Sequence, residues 1–268
     1  MRTTLCCLLA ALLLPFLAST GLTAKGKKKD EGPKKHESKW VKKLTEDPKV
    51  AEADNDEAKK LLDALSKAVK TKDVAKIMAA VEPMVTKSNE RFFKDLAKLA
   101  KDRRMNVRVI SLRALGSQKE PAKKISSTLF AILRAKPFKH SAPTLAMAID
   151  SLRRQKVKKK QIADEIESHF KKAQKPEVMK ACVRYFGDMV MLDKVKMLIP
   201  WVETPQPANV NSPTNPPASY WRRLNEIWSE IKETVWYSLE TMTGKDFKTR
   251  RDWEKWSRTL EAKRMGVD

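Results

Sequence analysis

The sequence predicts an all-α fold, a short α-solenoid of stacked helical hairpins. Three observations predict it. Glycine is scarce, seven in 268 residues, whereas strands with tight hairpins and phosphate-cradling loops lean on glycine. The strong helix formers Ala, Leu, Lys, Arg, Glu and Met are plentiful. Short apolar stripes at helical spacing recur about every 35 residues, the mark of repeated helical hairpins. Hydrophobic residues make up 41% of the chain, enough for one domain with its own core.

Residues 1–24 read as a secretory signal peptide. Arg2 supplies positive charge, and Leu5 to Leu17 (LCCLLAALLLPFL) is almost wholly apolar. Ala18, Ser19, Thr20, Gly21 and Ala24 then form a small-residue exit. The apolar run is shorter than the roughly 20 residues of a membrane span. Cleavage is expected after Ala24, with Gly21 as the alternative and an uncleaved anchor as the other fate. The expected location is periplasm, envelope or extracellular space. Export permits disulfides, but Cys6 and Cys7 fall within the signal, leaving Cys182 alone. The fold must then hold by packing. Residues 25–43 form a basic linker of nine lysines against three acids, which repels itself and stays extended.

Residues 44–203 carry the helical hairpins. Ala58, Leu61, Leu62, Leu65, Ala68 and Val69 lie on one helical stripe, with Asn55 as the expected N-cap. After a break at Thr71–Asp73 comes a second stripe, Val74, Ile77, Met78 and Val81. Ser88 is the expected cap of a third helix bearing Phe92, Phe93, Leu96 and Leu99. Second helices are expected to start near Asp73, Asn106, Ser141 and Pro176. Pro143 and Pro176 suit first-turn positions, and Gly116 and Gly187 are the expected stops of their helices. Short breaks make neighbours antiparallel.

The segment DRRMNVRVISLRALG resembles the second helix of a HEAT repeat. Asp102, Val107, Arg108, Ser111, Ala114, Leu115 and Gly116 occupy the pattern positions. PEVMKACVRYFG matches less fully, through Val178, Cys182, Phe186 and Gly187, and lacks the Asp and the Arg. The resemblance covers about residues 55–203. It implies a right-handed, armadillo-type α-solenoid of four to five HEAT-like hairpins. It also implies that Asp102 and Arg108 help tie neighbouring repeats together, and that second helices line a concave face. The period is shorter than the usual ~40–47 residues. Tetratricopeptide repeats share it, but their first-helix pattern is missing.

Residues 204–218 (TPQPANVNSPTNPPA) read as a surface loop rich in Pro, Asn and Ser. Residues 219–268 are expected to be helical. Six of the seven tryptophans lie between Trp201 and Trp256. Thr243 to Phe247, followed by Trp253 and Trp256, resembles the ending of exported bacterial HEAT-like proteins. Large aromatics suit a terminal cap, because a last hairpin has no neighbour to cover it.

Catalytic and metal chemistry finds little support. Gly244-Lys245 fails as a phosphate loop, since Asp246 stands where Ser or Thr is required and position 239 is Leu. His36, His140 and His169 are isolated, and Glu165 with His169 offers two ligands at most. Cys182 lies on an apolar stripe and suits a small buried hydrophobe. The expectation is a non-enzyme without metal or cofactor.

Charge is the remaining signal. The formal net charge is +23. Arg153, Arg154, Lys156, Lys158, Lys159 and Lys160 crowd one turn between hairpins, and Arg104, Arg108 and Arg113 lie on or before a second helix. The functional interpretation is a surface for an acidic protein or polyanion; the plain one is that cations favour a helix C-terminus. Aromatics interleaved with the cations, which nucleic-acid binding would want, are absent. The expected function is an exported interaction scaffold for an acidic protein or envelope polyanion. The alternatives are a structural envelope module touching anionic lipid, or an enzyme with a scattered site.

Overall fold

The computed structural model describes residues 47–138, 141–173, 175–207, 209–210 and 212–264. The expected signal peptide and basic linker, with Cys6, Cys7 and His36, lie outside the described residues, as does His140. Helix accounts for 74% of what is described. Among the described residues, strand is confined to one short parallel pairing between β1 (Ala51–Glu52) and β2 (Lys87–Ser88). The fold class is therefore all-α.

The helices are α1 (Asn55–Thr71), α2 (Val74–Val81), α3 (Phe93–Leu99), α4 (Met105–Ser117), α5 (Ala122–Arg134) and α6 (Ala142–Arg154). They continue with α7 (Lys160–Lys172), α8 (Pro176–Asp188), α9 (Val195–Leu198), α10 (Ala218–Thr243) and α11 (Arg250–Arg264). Local chemistry sets several ends. Asp54, not Asn55, caps α1: its carboxylate accepts the Glu57 N–H at 2.7 Å. Asp73 caps α2 by accepting the Ala75 N–H at 2.8 Å. Ser88 is not the cap expected of it. It lies in β2, and its hydroxyl accepts the Lys119 N–H. Asn89 caps the short 3₁₀ turn that leads into α3. Residues 192–201, where a fifth hairpin would begin, are broken into 3₁₀ turns flanking the four-residue α9.

Packing follows every second helix. α2 packs on α4, α4 on α6, α6 on α8, and α8 on α10. A second row runs α3, α5, α7. Between the rows lies a continuous core that includes Phe92, Leu112, Leu115, Leu129, Ile149, Ile166 and Phe186. Cys182 is fully buried in it, donating weakly to the Ile166 carbonyl at 3.5 Å. Burial pushes its thiol pKa up, away from reactive thiolate.

Gly116 and Gly187 stop no helix; both sit inside theirs. Their role is close approach. A Cβ on Gly116 would lie 2.9 Å from the Ser151 Cα of α6, and one on Gly187 would lie 2.8 Å from the Ser238 Cα of α10. The Ser151 hydroxyl donates to the Leu112 carbonyl at 2.8 Å, and the Ser238 hydroxyl donates to the Val183 carbonyl at 3.0 Å. In each case the acceptor stands four residues before the glycine, so one device is used twice. Gly187→Ala is expected to destabilise by about 1–3 kcal/mol through overpacking against backbone. An unchanged urea midpoint would show that α8 and α10 separate freely.

What does stop α6 and α8 is a pair of matching turns. Val157 N–H donates to the Leu152 carbonyl and Lys156 N–H to that of Arg153. One hairpin later, Met191 N–H donates to Phe186 and Val190 N–H to Gly187. This is the Schellman pattern, with Lys156 and Val190 at positive φ where glycine is usual.

The C-terminal aromatics form a local cluster. Trp253 of α11 is 1% exposed, edge-on to Phe247 at 5.0 Å and to Trp256 at 5.7 Å. Its Nε1–H donates to the Phe247 carbonyl at 3.0 Å. α11 packs on α9 and on the following 3₁₀ turn, Ile199–Trp201.

Candidate functional site

The matching turns at the C-terminal ends of α6 and α8 bring the charged residues together. Arg153 leaves the last turn of α6 and points inward, its side chain 4% exposed. Its guanidinium donates to Asp150 at 2.9 Å, to Asp188 of α8 at 2.7 Å, and through both Nη atoms to Asp47. Arg154 pairs with Asp150 at 2.5 Å. Tyr237 of α10 donates its hydroxyl to the other Asp188 oxygen at 3.1 Å. Burial works against the charged form of Arg153, yet Asp47 and Asp150 hold its proton more tightly than usual. Burial would likewise raise Asp150, but Arg154 and Arg153 outweigh it and hold the carboxyl below its ordinary range. Arg184 of α8 completes the group, its pKa pulled down by burial and by Arg153.

The six clustered cations thus divide. Arg153 and Arg154 are engaged by carboxylates of the same chain. Lys156, Lys158, Lys159 and Lys160 are exposed, and no carboxylate among the described residues pairs with them. They do not share one explanation. Arg153 and Arg154 occupy the last turn of α6, where cations suit the helix dipole. Lys158, Lys159 and Lys160 stand at the start of α7, where cations are disfavoured, and no acidic residue lies in that helix's first turn.

The second basic group is not brought to this edge. The Arg104 guanidinium donates to Asp102 at 2.8 Å and to the Lys72 carbonyl at 2.9 Å. Arg104 holds the Asp102 carboxyl below its ordinary range. Arg108 is buried, not offered to solvent. It donates to the Thr144 hydroxyl at 2.9 Å and to the Asp102 main-chain carbonyl at 2.8 Å. Arg104, held by the Asp102 carboxylate, therefore reaches back to the α1–α2 turn, while Arg108 reaches forward to the start of α6. Arg113 is half-buried, its guanidinium 3.8 Å from Glu82.

At the opposite end of α6 and α8 lies a groove of about 740 Å³, lined by Leu133, Leu145, Val178, Lys136, Lys172 and Lys175. His169 lies beside it, 3.5 Å from Glu165 and 3.3 Å from the Leu133 carbonyl. Among the described residues, no group of three or more His, Cys, Asp or Glu side chains is placed to hold a metal. Among them, too, no helix is long and apolar enough to cross a membrane.

Sequence reasoning missed Asp47, Asp150, Asp188, Arg184 and Tyr237. The Arg153 pairings span 106 and 35 residues. The i, i+3 and i, i+4 spacing of Asp150 to Arg153 and Arg154 was the one local signal for them. No family model matches the chain, and neither the curated proteins nor the solved structures hold a match.

Proposed function

We propose that the protein is a non-catalytic, exported HEAT-like α-solenoid that holds an acidic partner along the lysine edge at the start of α7. One observation carries the binding half: Lys158, Lys159 and Lys160 sit exposed at the positive end of a helix, without a carboxylate partner among the described residues. Like charges at a helix N-terminus raise the free energy of the isolated protein, and an acidic partner relieves that. The solenoid half is supported by packing of every second helix and by the repeated glycine–serine contact. α11 and its tryptophans serve as the terminal cap.

Retention on heparin or polyglutamate, read against salt, tests the binding. Replacing Lys158, Lys159 and Lys160 with Gln removes three exposed cations, each worth about 0.5 kcal/mol, so affinity at low salt should fall roughly tenfold. Far-ultraviolet dichroism should be unchanged. Retention insensitive to salt, or equal in the triple variant, would reject the lysine edge. Arg153 must stay intact in such variants, because neutralising it removes a buried structural ion pair and not a surface charge.

A further inference from the structure

Three guanidinium groups from two helices converge on Asp47. Arg153 grips both of its oxygens, while Arg154 Nε and Arg184 Nη2 each stand 3.8 Å from Oδ1. The cationic side is built into the fold, with the Arg153, Arg154 and Arg184 side chains 4%, 11% and 18% exposed. Asp47, 41% exposed, lies over them as a lid residue from a distant part of the chain.

The nest is not satisfied by this occupant. Among the described residues, Arg154 Nη1, Arg184 Nε and Arg184 Nη2 are buried without a hydrogen-bond partner. Leaving such donors unmet is costly, more so for charged groups. A carboxylate has two oxygens in one plane, and Arg153 takes both. Charge points the same way. Asp47, Asp150 and Asp188 balance the three arginines, so without Asp47 the nest carries one net positive charge. Lys156 and Lys158 line the depression of about 530 Å³ beside it. A second depression, of about 400 Å³, reaches Asp47 and Arg154 past Gln118 and Lys119.

We propose that Arg153, Arg154 and Arg184 form a receptor for a tetrahedral oxyanion, a phosphate or sulfate group, and that Asp47 is its intramolecular occupant and competitor. A tetrahedral dianion supplies oxygens out of the carboxylate plane for the three unmet donors, and a second negative charge for the flanking lysines. The nest shares its edge with the proposed function but rests on the arginines, so the two can fail separately.

Calorimetric titration of the full chain with inorganic phosphate, and separately with inorganic sulfate, tests the nest. Asp47→Asn keeps the side-chain shape but removes the competing charge. It should bind at least one of the two anions tenfold or more tighter than the parent chain. The same anion should raise the melting temperature of Asp47→Asn more than that of the parent, which gives a second readout. Adding Arg184→Gln to Asp47→Asn should remove the gain while dichroism stays helical. Tighter binding of phosphate would assign the nest to phosphate groups, tighter binding of sulfate to sulfate groups, and equal gains to the shared tetrahedral chemistry. If Asp47→Asn binds neither anion better than the parent, or if Arg184→Gln leaves the gain intact, the proposal is overturned. Phosphate gain without polyanion retention would keep the nest and reject the lysine edge.

Discussion

Replacing Arg153 with Ala should lower unfolding free energy by about 3 kcal/mol, the low end of the range for removing one partner of a buried ion pair. The low end applies because Asp150 and Asp188, left without their shared cation, are each about one-fifth exposed and keep Arg154 and Tyr237 as partners. Arg153→Lys should rescue little, since an ammonium cannot match the guanidinium fork that reaches three carboxylates from two helices and the N-terminal segment. Acid titration gives an independent check. Asp150 has a folded pKa below its ordinary value, so the stability it confers is present above the unfolded carboxylate pKa. That stability is lost as pH falls through the folded value. The parent chain should therefore weaken on acidification below about pH 4, and Arg153→Ala should show a shallower decline. The slope should not vanish, because Asp102 and Glu167 are also held low, by Arg104 and by Lys171 with Lys194. Denaturant melts at neutral pH that differ by less than about 1 kcal/mol would mean that the cluster is a surface network of ordinary weak pairs.

Trp253→Ala should cost about 3–5 kcal/mol, as large-to-small changes at buried aromatics do. In a domain of this size that is a drop of roughly 10 °C in melting temperature. Trp253 is fully enclosed and gives up both its ring contacts and its hydrogen bond to Phe247. Trp256 is only half-buried, so Trp256→Ala should cost about half as much. Equal losses at the two positions would show that the cluster acts as one unit. No loss at Trp253 would detach α11 from the stability of the fold and reject the proposed terminal cap.

The helices themselves were legible because each needs only local information. The apolar stripe of α1, the proline at the start of α8 and the short breaks between helices act over a few residues, and the starts of α1, α2, α4, α6 and α8 fall within a residue of those expected. The roles of single residues were less legible. Gly116 and Gly187 carry the marks of helix stops, yet each lies under a serine of another helix. Sequence shows that a residue is small; it does not show whether smallness serves φ freedom or close approach. Asn55 and Ser88 failed as caps for a related reason, since the neighbours Asp54 and Asn89 offer equally good acceptors and backbone geometry chooses between them.

The candidate site divides in the same way. Sequence by itself determined the all-α class, the recurrence near 35 residues and the crowding of six cations between Arg153 and Lys160, because composition and period are properties of the linear chain. Tertiary structure alone decided which of those cations face outward. Arg153 meets Asp188 only because α6 and α8 pack side by side, and it meets Asp47 only because a segment 106 residues away lies across that edge. A charge is buried or exposed according to the carboxylates brought within hydrogen-bond reach by packing, and at this edge two of the three that meet Arg153 come from outside its own helix.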